Sequence, residues 1–249
     1  MIFRQLFEPV SSTYTYLLGC EVTGKAMLVD AVLPTWQRDM AVINTLGLTL
    51  AYTLDTHIHA DHISAARKLK QETGSRIAHP ALDNLSCADI GLAHKIPLNM
   101  GSITINPLHT PGHTDNHFAY AIDDRVLTGD ALLIDGCGRT DFQNGDAPTL
   151  YHSIHNQLFT LEESTQVYPA HDYQGRHVSS IAQEKMRNPR LGSNKPLAEF
   201  VDIMDNLKLA YPKFIDYAVP GNRECGVCSP NVPEALQQYC DQIRDSQQG

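Results

Sequence analysis

Tryptophan occurs once in these 249 residues, basic side chains are few, and long apolar runs are missing. Each shortage excludes something. No stretch approaches the ~18 consecutive apolar residues of a membrane span, so a membrane partner is not expected. Lysine and arginine number 19 against 28 aspartates and glutamates, a net charge of −9. Binding a phosphate backbone needs a basic face, so nucleic acid is not expected either. The six cysteines (Cys20, Cys87, Cys137, Cys225, Cys228 and Cys240) are sparse for this length. The first residues, MIFRQLFEPVSSTYTY, carry neither a secretion-type apolar run nor an Arg/Ser-rich transit pattern. The cysteines therefore read as free thiols in a reducing compartment, and a cytoplasmic location is expected.

What remains is an ordinary globular balance, 42% hydrophobic and 19% charged. Strand rhythm marks Thr13–Gly19, where Tyr14, Tyr16 and Leu18 alternate with the opposite face, and short apolar runs mark 25–30 and 48–55. Further strands are expected at 103–105, 117–122, 125–128 and 166–168. Helical composition covers 35–46, 65–73 (stopped by Gly74), 150–161 and 178–186. Past Asn188-Pro189 the character turns to helix and loop. Leu197, Phe200, Val201, Met204 and Leu207 form one apolar stripe, and Leu236, Tyr239, Cys240 and Ile243 another. Mixed strands and helices predict a layered α/β or α+β fold with sheets buried under helices. The expected division is a main domain over 1–187 and a short C-terminal helix and loop extension over 188–249, packed on it.

Histidine is plentiful: 12 residues. The segment Thr56-His57-Ile58-His59-Ala60-Asp61-His62 places four ligand-type side chains directly after an apolar strand. Neutral imidazole and carboxylate both suit borderline divalent metals. Three later residues sit likewise at strand ends beside glycine or proline: His113 in Thr-Pro-Gly-His-Thr, Asp130 in Thr-Gly-Asp, and His171 in Pro-Ala-His-Asp. From spacing alone these seven would fill two sites, with Asp130 bridging, and would predict a binuclear zinc hydrolase. The other histidines have plainer readings. His109 matches no ligand position, His152 and His155 would share a solvated helix face, and His79, His94, His117 and His177 are expected to be structural or superficial.

The series HxHxDH, TPGHT, TGD and PAHD, in that order, resembles the metallo-β-lactamase superfamily. That resemblance implies an αββα sandwich, two β-sheets packed face to face with helices outside, and a metal site at one edge. A finer resemblance lies in Gly136-Cys137-Gly138-Arg139-Thr140-Asp141-Phe142-Gln143, Tyr168 to Tyr173, Asn188-Pro189-Arg190-Leu191 and Ile215 to Pro220 before Cys225-Gly226-Val227. This run resembles the persulfide dioxygenases, the ethylmalonic encephalopathy protein family, across most of the chain. Glyoxalase II shares the GCGR turn but continues with FFEG where this chain has TDFQ.

The resemblance implies one Fe(II) per chain, held by His57, His113 and Asp130, with His59, Asp61, His62 and His171 orienting those ligands or supplying a second metal site. It implies oxidation of glutathione persulfide by O2 to sulfite and glutathione. Arg139, Tyr173 and Arg176 are the expected contacts to a substrate with two carboxylates. Cys225 matches a family cysteine near the site and could handle persulfide or respond to redox state, against the plainer reading of a buried free thiol. A homodimer is the assembly considered. The competing readings are a binuclear zinc hydrolase of acylglutathione thioesters and, behind it, a non-enzymatic metal or thiol sensor.

Overall fold

The computed structural model describes residues 1–228 and 240. Among them, one mixed sheet runs in chain order through β1 (Ile2–Glu8), β2 (Thr13–Cys20), β3 (Lys25–Val29), β4 (Thr49–Leu54), β5 (Arg76–Pro80) and β6 (Ile90–Leu92). Its first three strands pair antiparallel and its last three join in parallel. A second mixed sheet holds β7 (Leu98–Met100), β8 (Ile103–His109), β9 (Phe118–Ile122), β10 (Arg125–Gly129), β11 (Gln166–Pro169) and β12 (Ser179–Ser180), again in sequence order. Only β10 and β11 pair parallel there.

The two-residue period of a strand explains how the sheets stack. On β2, Tyr14, Tyr16 and Leu18 point into a core between the sheets, where they meet Phe118, Tyr120, Ile122 and Leu127 of the second sheet. The alternate residue Leu17 points outward. It packs with Leu28 and Leu50 beneath Ile43 of helix α1 (Trp36–Thr45) and Leu69 of helix α2 (Ala66–Thr73). All eight residues of β2 are buried, so the expected opposite face is covered rather than solvated. The outer face of the second sheet, with Ala119, Val126 and Val167, is covered in the same way. Helix α3 (Ala147–Ser153), which continues into a π-turn over Ile154–Leu158, helix α4 (Ile181–Arg187) and helix α5 (Leu197–Asp205) supply Leu150, Ile154, Ile181, Phe200 and Met204. The result is the four-layered α+β sandwich that the motif series implied.

Several elements had no sequence signal in the reading above, among them β1, β5 and helix α6 (Ile215–Asn222), which carries Pro220 inside it. Its Ala218 packs with Phe214, Leu33, Ile63 and Cys240. The second C-terminal stripe, 236–243, lies outside the described residues apart from Cys240. The expectation of six free thiols is overturned. Cys87 is bonded to Cys225 and Cys228 to Cys240, which leaves Cys20 and Cys137 free and buried. The first bridge spans 138 residues of sequence, a proximity only the tertiary fold creates.

Candidate metal centre

Three of the four motif loops leave the ends of β4, β10 and β11, and the fourth follows β8, so one edge of the sandwich collects them. Backbone bonds across this edge hold them together. Phe118 N–H donates to Thr56 O, Ala170 N–H to Gly129 O and Tyr14 N–H to Ala170 O. Gly129 ends β10 with φ +52, and a Cβ there would stand 2.4 Å from His117 Nε2. Glycine alone lets the turn before Asp130 pass so close to that ring.

His57, His113 and Asp130 converge, each offering a ligand atom within 4.8 Å of the others. Their orientation is built from behind. His113 Nδ1 donates to the carbonyl of Arg139 at 2.7 Å, which leaves its Nε2 lone pair toward Asp130 Oδ2, 3.4 Å away. His57 Nδ1 stands 2.9 Å from Thr56 Oγ1, whose hydroxyl donates to Asp30 Oδ2 at 3.1 Å. A hydroxyl has one proton to give, so it accepts from His57 Nδ1–H, and the Nε2 lone pair of His57 is also free. Burial, with the nearby His59 and His113, pushes the His57 imidazole well below its ordinary range. It is therefore neutral, the form that binds a metal. Asp130 Oδ1 is buried without a hydrogen-bond partner. A donor set of two imidazole nitrogens and a carboxylate oxygen that makes no hydrogen bond fits a divalent transition metal.

Beside this set, His59, Asp61 and His62 form a second cluster on the same 4.8 Å scale. Burial opposes the charged form of His59, but the Asp30 carboxylate outweighs it and raises the imidazole to about 9. His59 Nε2 lies 3.1 Å from Asp30 Oδ1, while His59 Nδ1 and His62 Nε2 are buried without a hydrogen bond. His171 Nε2 stands 3.5 Å from Asp61 and 3.6 Å from Asp130, between the two clusters. All seven ligand-type residues named from the sequence are thus brought to one place.

A cavity of about 540 Å³ opens over the cluster, lined by His57, Asp61, His113, Asp130 and His171, and by Arg139, Tyr173, Arg190, Leu209, Lys213 and Phe214. Arg139 forms a two-pronged ion pair with Asp141 at its edge. Arg176 does not line the cavity. Its guanidinium is bound to Asp172, Asp135 and the carbonyl of Ile134. The structure offers two other cations that were not among the expected substrate contacts. The Arg190 guanidinium donates to Cys137, and Lys213 lies over the Phe214 ring, neither with a carboxylate partner among the described residues. Cys225 faces neither metal nor cavity, being buried in its bridge to Cys87.

No role was expected of Asp30 beyond closing an apolar run, and His117 was expected to be structural or superficial. Asp30 follows β3 in a left-handed conformation (φ +53), and its carboxylate accepts from the Thr56 amide at 2.8 Å as well as from Thr56 Oγ1 and His59. Its one signal was an apolar run ending in a carboxylate. His117 is fully buried with its ring 5.1 Å from that of His57. It accepts from the Asp130 amide at 3.0 Å and so gives Nδ1–H to Thr110 Oγ1.

A two-sheet sandwich with histidines and carboxylates that could hold a metal gathered at one edge is the architecture of the metallo-β-lactamase type, and the model of the metallo-beta-lactamase superfamily matches residues 9–94 and 89–171. Curated relatives include the persulfide dioxygenase ETHE1, mitochondrial, of Homo sapiens. It is 44% identical over 240 residues, covering 93% of this chain and 91% of the relative. A solved structure of ETHE1 from Myxococcus xanthus superposes with a TM-score of 0.89 at 51% identity, covering 91% of this chain and all of that one. A hydroxyacylglutathione hydrolase of Rhodopseudomonas palustris is more distant, 32% identical over 191 residues, 75% of this chain and 73% of the relative. The chain belongs to the persulfide dioxygenase family of the metallo-β-lactamase superfamily.

Proposed function

We propose that this protein is an Fe(II)-dependent enzyme that oxidises glutathione persulfide with O2 to sulfite and glutathione, with His57, His113 and Asp130 as the iron ligands. The observation that carries the reading is the convergence of two Nε2 lone pairs and one carboxylate beneath an open cavity. Fe(II) held by His57, His113 and Asp130 would bind the substrate sulfur and supply the electrons that activate O2. The net reaction takes one persulfide, one O2 and one water to one thiol, one sulfite and protons. The S–S bond breaks, the outer sulfur loses four electrons, and O2 gains them.

The chain's own residues hold and orient. Thr56 and the Arg139 carbonyl aim the imidazoles. The Asp130 amide rests on His117, which fixes the backbone that presents the carboxylate. Arg190, Lys213 and the paired Arg139 offer cations to the two carboxylates of glutathione, and Tyr173 adds an aromatic wall. Arg176, expected to touch substrate, is proposed instead to brace the loop after His171 through Asp172.

We also propose one iron per chain, a homodimer, the division into 1–187 and 188–249, and a cytoplasmic location, the last without the support of free thiols, since four of the six cysteines are bridged. No helix among the described residues is long and apolar enough to cross a membrane, and the mammalian relatives are named mitochondrial.

One observation favours a second reading. The His59, Asp61 and His62 cluster has two orphaned nitrogens, as a binuclear zinc thioester hydrolase would require. Oxygen uptake by anaerobically purified protein given glutathione persulfide, with metal analysis of the same sample, decides between them. Persulfide-dependent uptake with iron near one per chain supports the oxygenase. Two zincs, thioester cleavage and no uptake would overturn it.

A further inference from the structure

The loop that carries His57, His59, Asp61 and His62 is gripped from outside the core domain. Asn222, the last residue of α6, is buried, and all three hydrogen bonds of its side-chain amide go to that loop. Its Oδ1 accepts from Ser64 N–H at 2.9 Å, and its Nδ2 donates to the carbonyls of His59 at 2.9 Å and His62 at 2.8 Å. One side chain thereby satisfies three backbone groups that a sharply turning loop would otherwise bury unpaired. The turn after it presses on the same segment. The Cys225 carbonyl accepts from Arg67 N–H at 2.9 Å. Gly226 has φ +99, and a Cβ on it would lie 2.1 Å from Ser64 O, so only glycine permits the approach. The Cys87–Cys225 bridge fixes this turn in place by tying it to the segment before β6. Cys225 is buried against Ala66 and Ile77, while Cys87 is partly exposed at the surface.

We propose that Asn222 is a positioning residue of the metal centre, and that the Cys87–Cys225 disulfide is a latch whose redox state sets how firmly Asn222 grips the ligand loop. The bridge opens by exchange with a small thiol, entering at the exposed sulfur. A thiolate attacks Cys87 Sγ, forming a mixed disulfide, and Cys225 leaves as a thiolate that takes up a proton. A second thiol attacks the mixed disulfide, restores the Cys87 thiol and departs as the small-molecule disulfide. Two electrons pass to the protein and two thiols are oxidised. Glutathione, the thiol product of the proposed reaction, belongs to this reductant class. The inference rests on the reading of His57, His113 and Asp130 as metal ligands, and not on which metal binds or what it catalyses.

The test is titration of the metal-free full chain with Co(II), followed by its visible absorption, for the wild type, N222A, C87S/C225S, the triple variant and D130A. N222A should weaken Co(II) about tenfold or more and shift the absorption, because the ligand loop relaxes. C87S/C225S should weaken it several-fold. The triple variant should be no worse than N222A, since the bridge acts through that side chain. Wild-type affinity and spectrum in folded N222A would overturn the positioning role. Either no effect of C87S/C225S or full additivity with N222A would overturn the latch. Should N222A not fold, N222D, which keeps the acceptor and loses both donated bonds, is read by the same criteria. Undiminished binding by D130A would instead sink the ligand assignment beneath both.

Discussion

Asp30 and His57 share one hydroxyl. Thr56 Oγ1 donates to Asp30 Oδ2 at 3.1 Å and stands 2.9 Å from His57 Nδ1. A carboxylate one strand away thereby decides which nitrogen of the imidazole keeps its proton, and so which lone pair faces the metal. Replacing Thr56 by Val strands a buried carboxylate oxygen and a buried ring N–H. T56V should lower metal affinity by about 10–100-fold, and T56S should restore most of it. Equal affinity in all three proteins, measured by metal titration, would show that the hydroxyl does not set the ring.

Asp130 supplies the one carboxylate of the proposed iron set and lies with its Oδ1 buried and without a hydrogen bond. D130A should purify without iron and show no persulfide-dependent oxygen uptake. Iron content near that of the wild type would mean the ligands lie elsewhere, His59, Asp61, His62 and His171 being the candidates.

The cations around the cavity should separate by kinetics. R190A removes a guanidinium that has no carboxylate partner among the described residues, so it should raise KM for glutathione persulfide about tenfold with kcat little changed. R139A should act in the same direction but less, because Asp141 already holds that side chain. R176A should leave KM near the wild-type value and lower the melting temperature, since its bonds brace Asp172 and Asp135. A large rise in KM for R176A alone would return it to the substrate site.

Burial raises the carboxyl of Asp39, in α1, to about 6, with Arg38 opposing only in part. The native state then binds that proton more tightly than the unfolded chain. The resulting stabilisation is full below about pH 4 and is lost as the pH rises through about 6. Relative to D39N, which stays neutral throughout, the wild type should lose on the order of 2 kcal/mol between pH 4 and pH 7.5. Urea unfolding of the metal-free proteins at both values measures it. A difference that does not change with pH would refute the assignment.

The sequence by itself determined a good deal. Ligand-type residues at the ends of apolar runs named all seven groups that meet at the sandwich edge, and the two-residue and helical periods predicted the layers that bury them. Periodicity reports which face a residue occupies, because burial of that face is a local requirement of each element. It does not report partners. His57 and His113 are 56 residues apart, and their free nitrogens are selected by Asp30 and by the Arg139 carbonyl, each far along the chain from the ring it serves. Only the tertiary structure brought His117 behind the site, turned Arg176 away from the cavity, put Arg190 and Lys213 into its wall, and joined Cys225 to Cys87. Those outcomes depend on distances between separately packed elements, and a hydrogen bond or a disulfide exists only where packing closes such distances to a few ångströms.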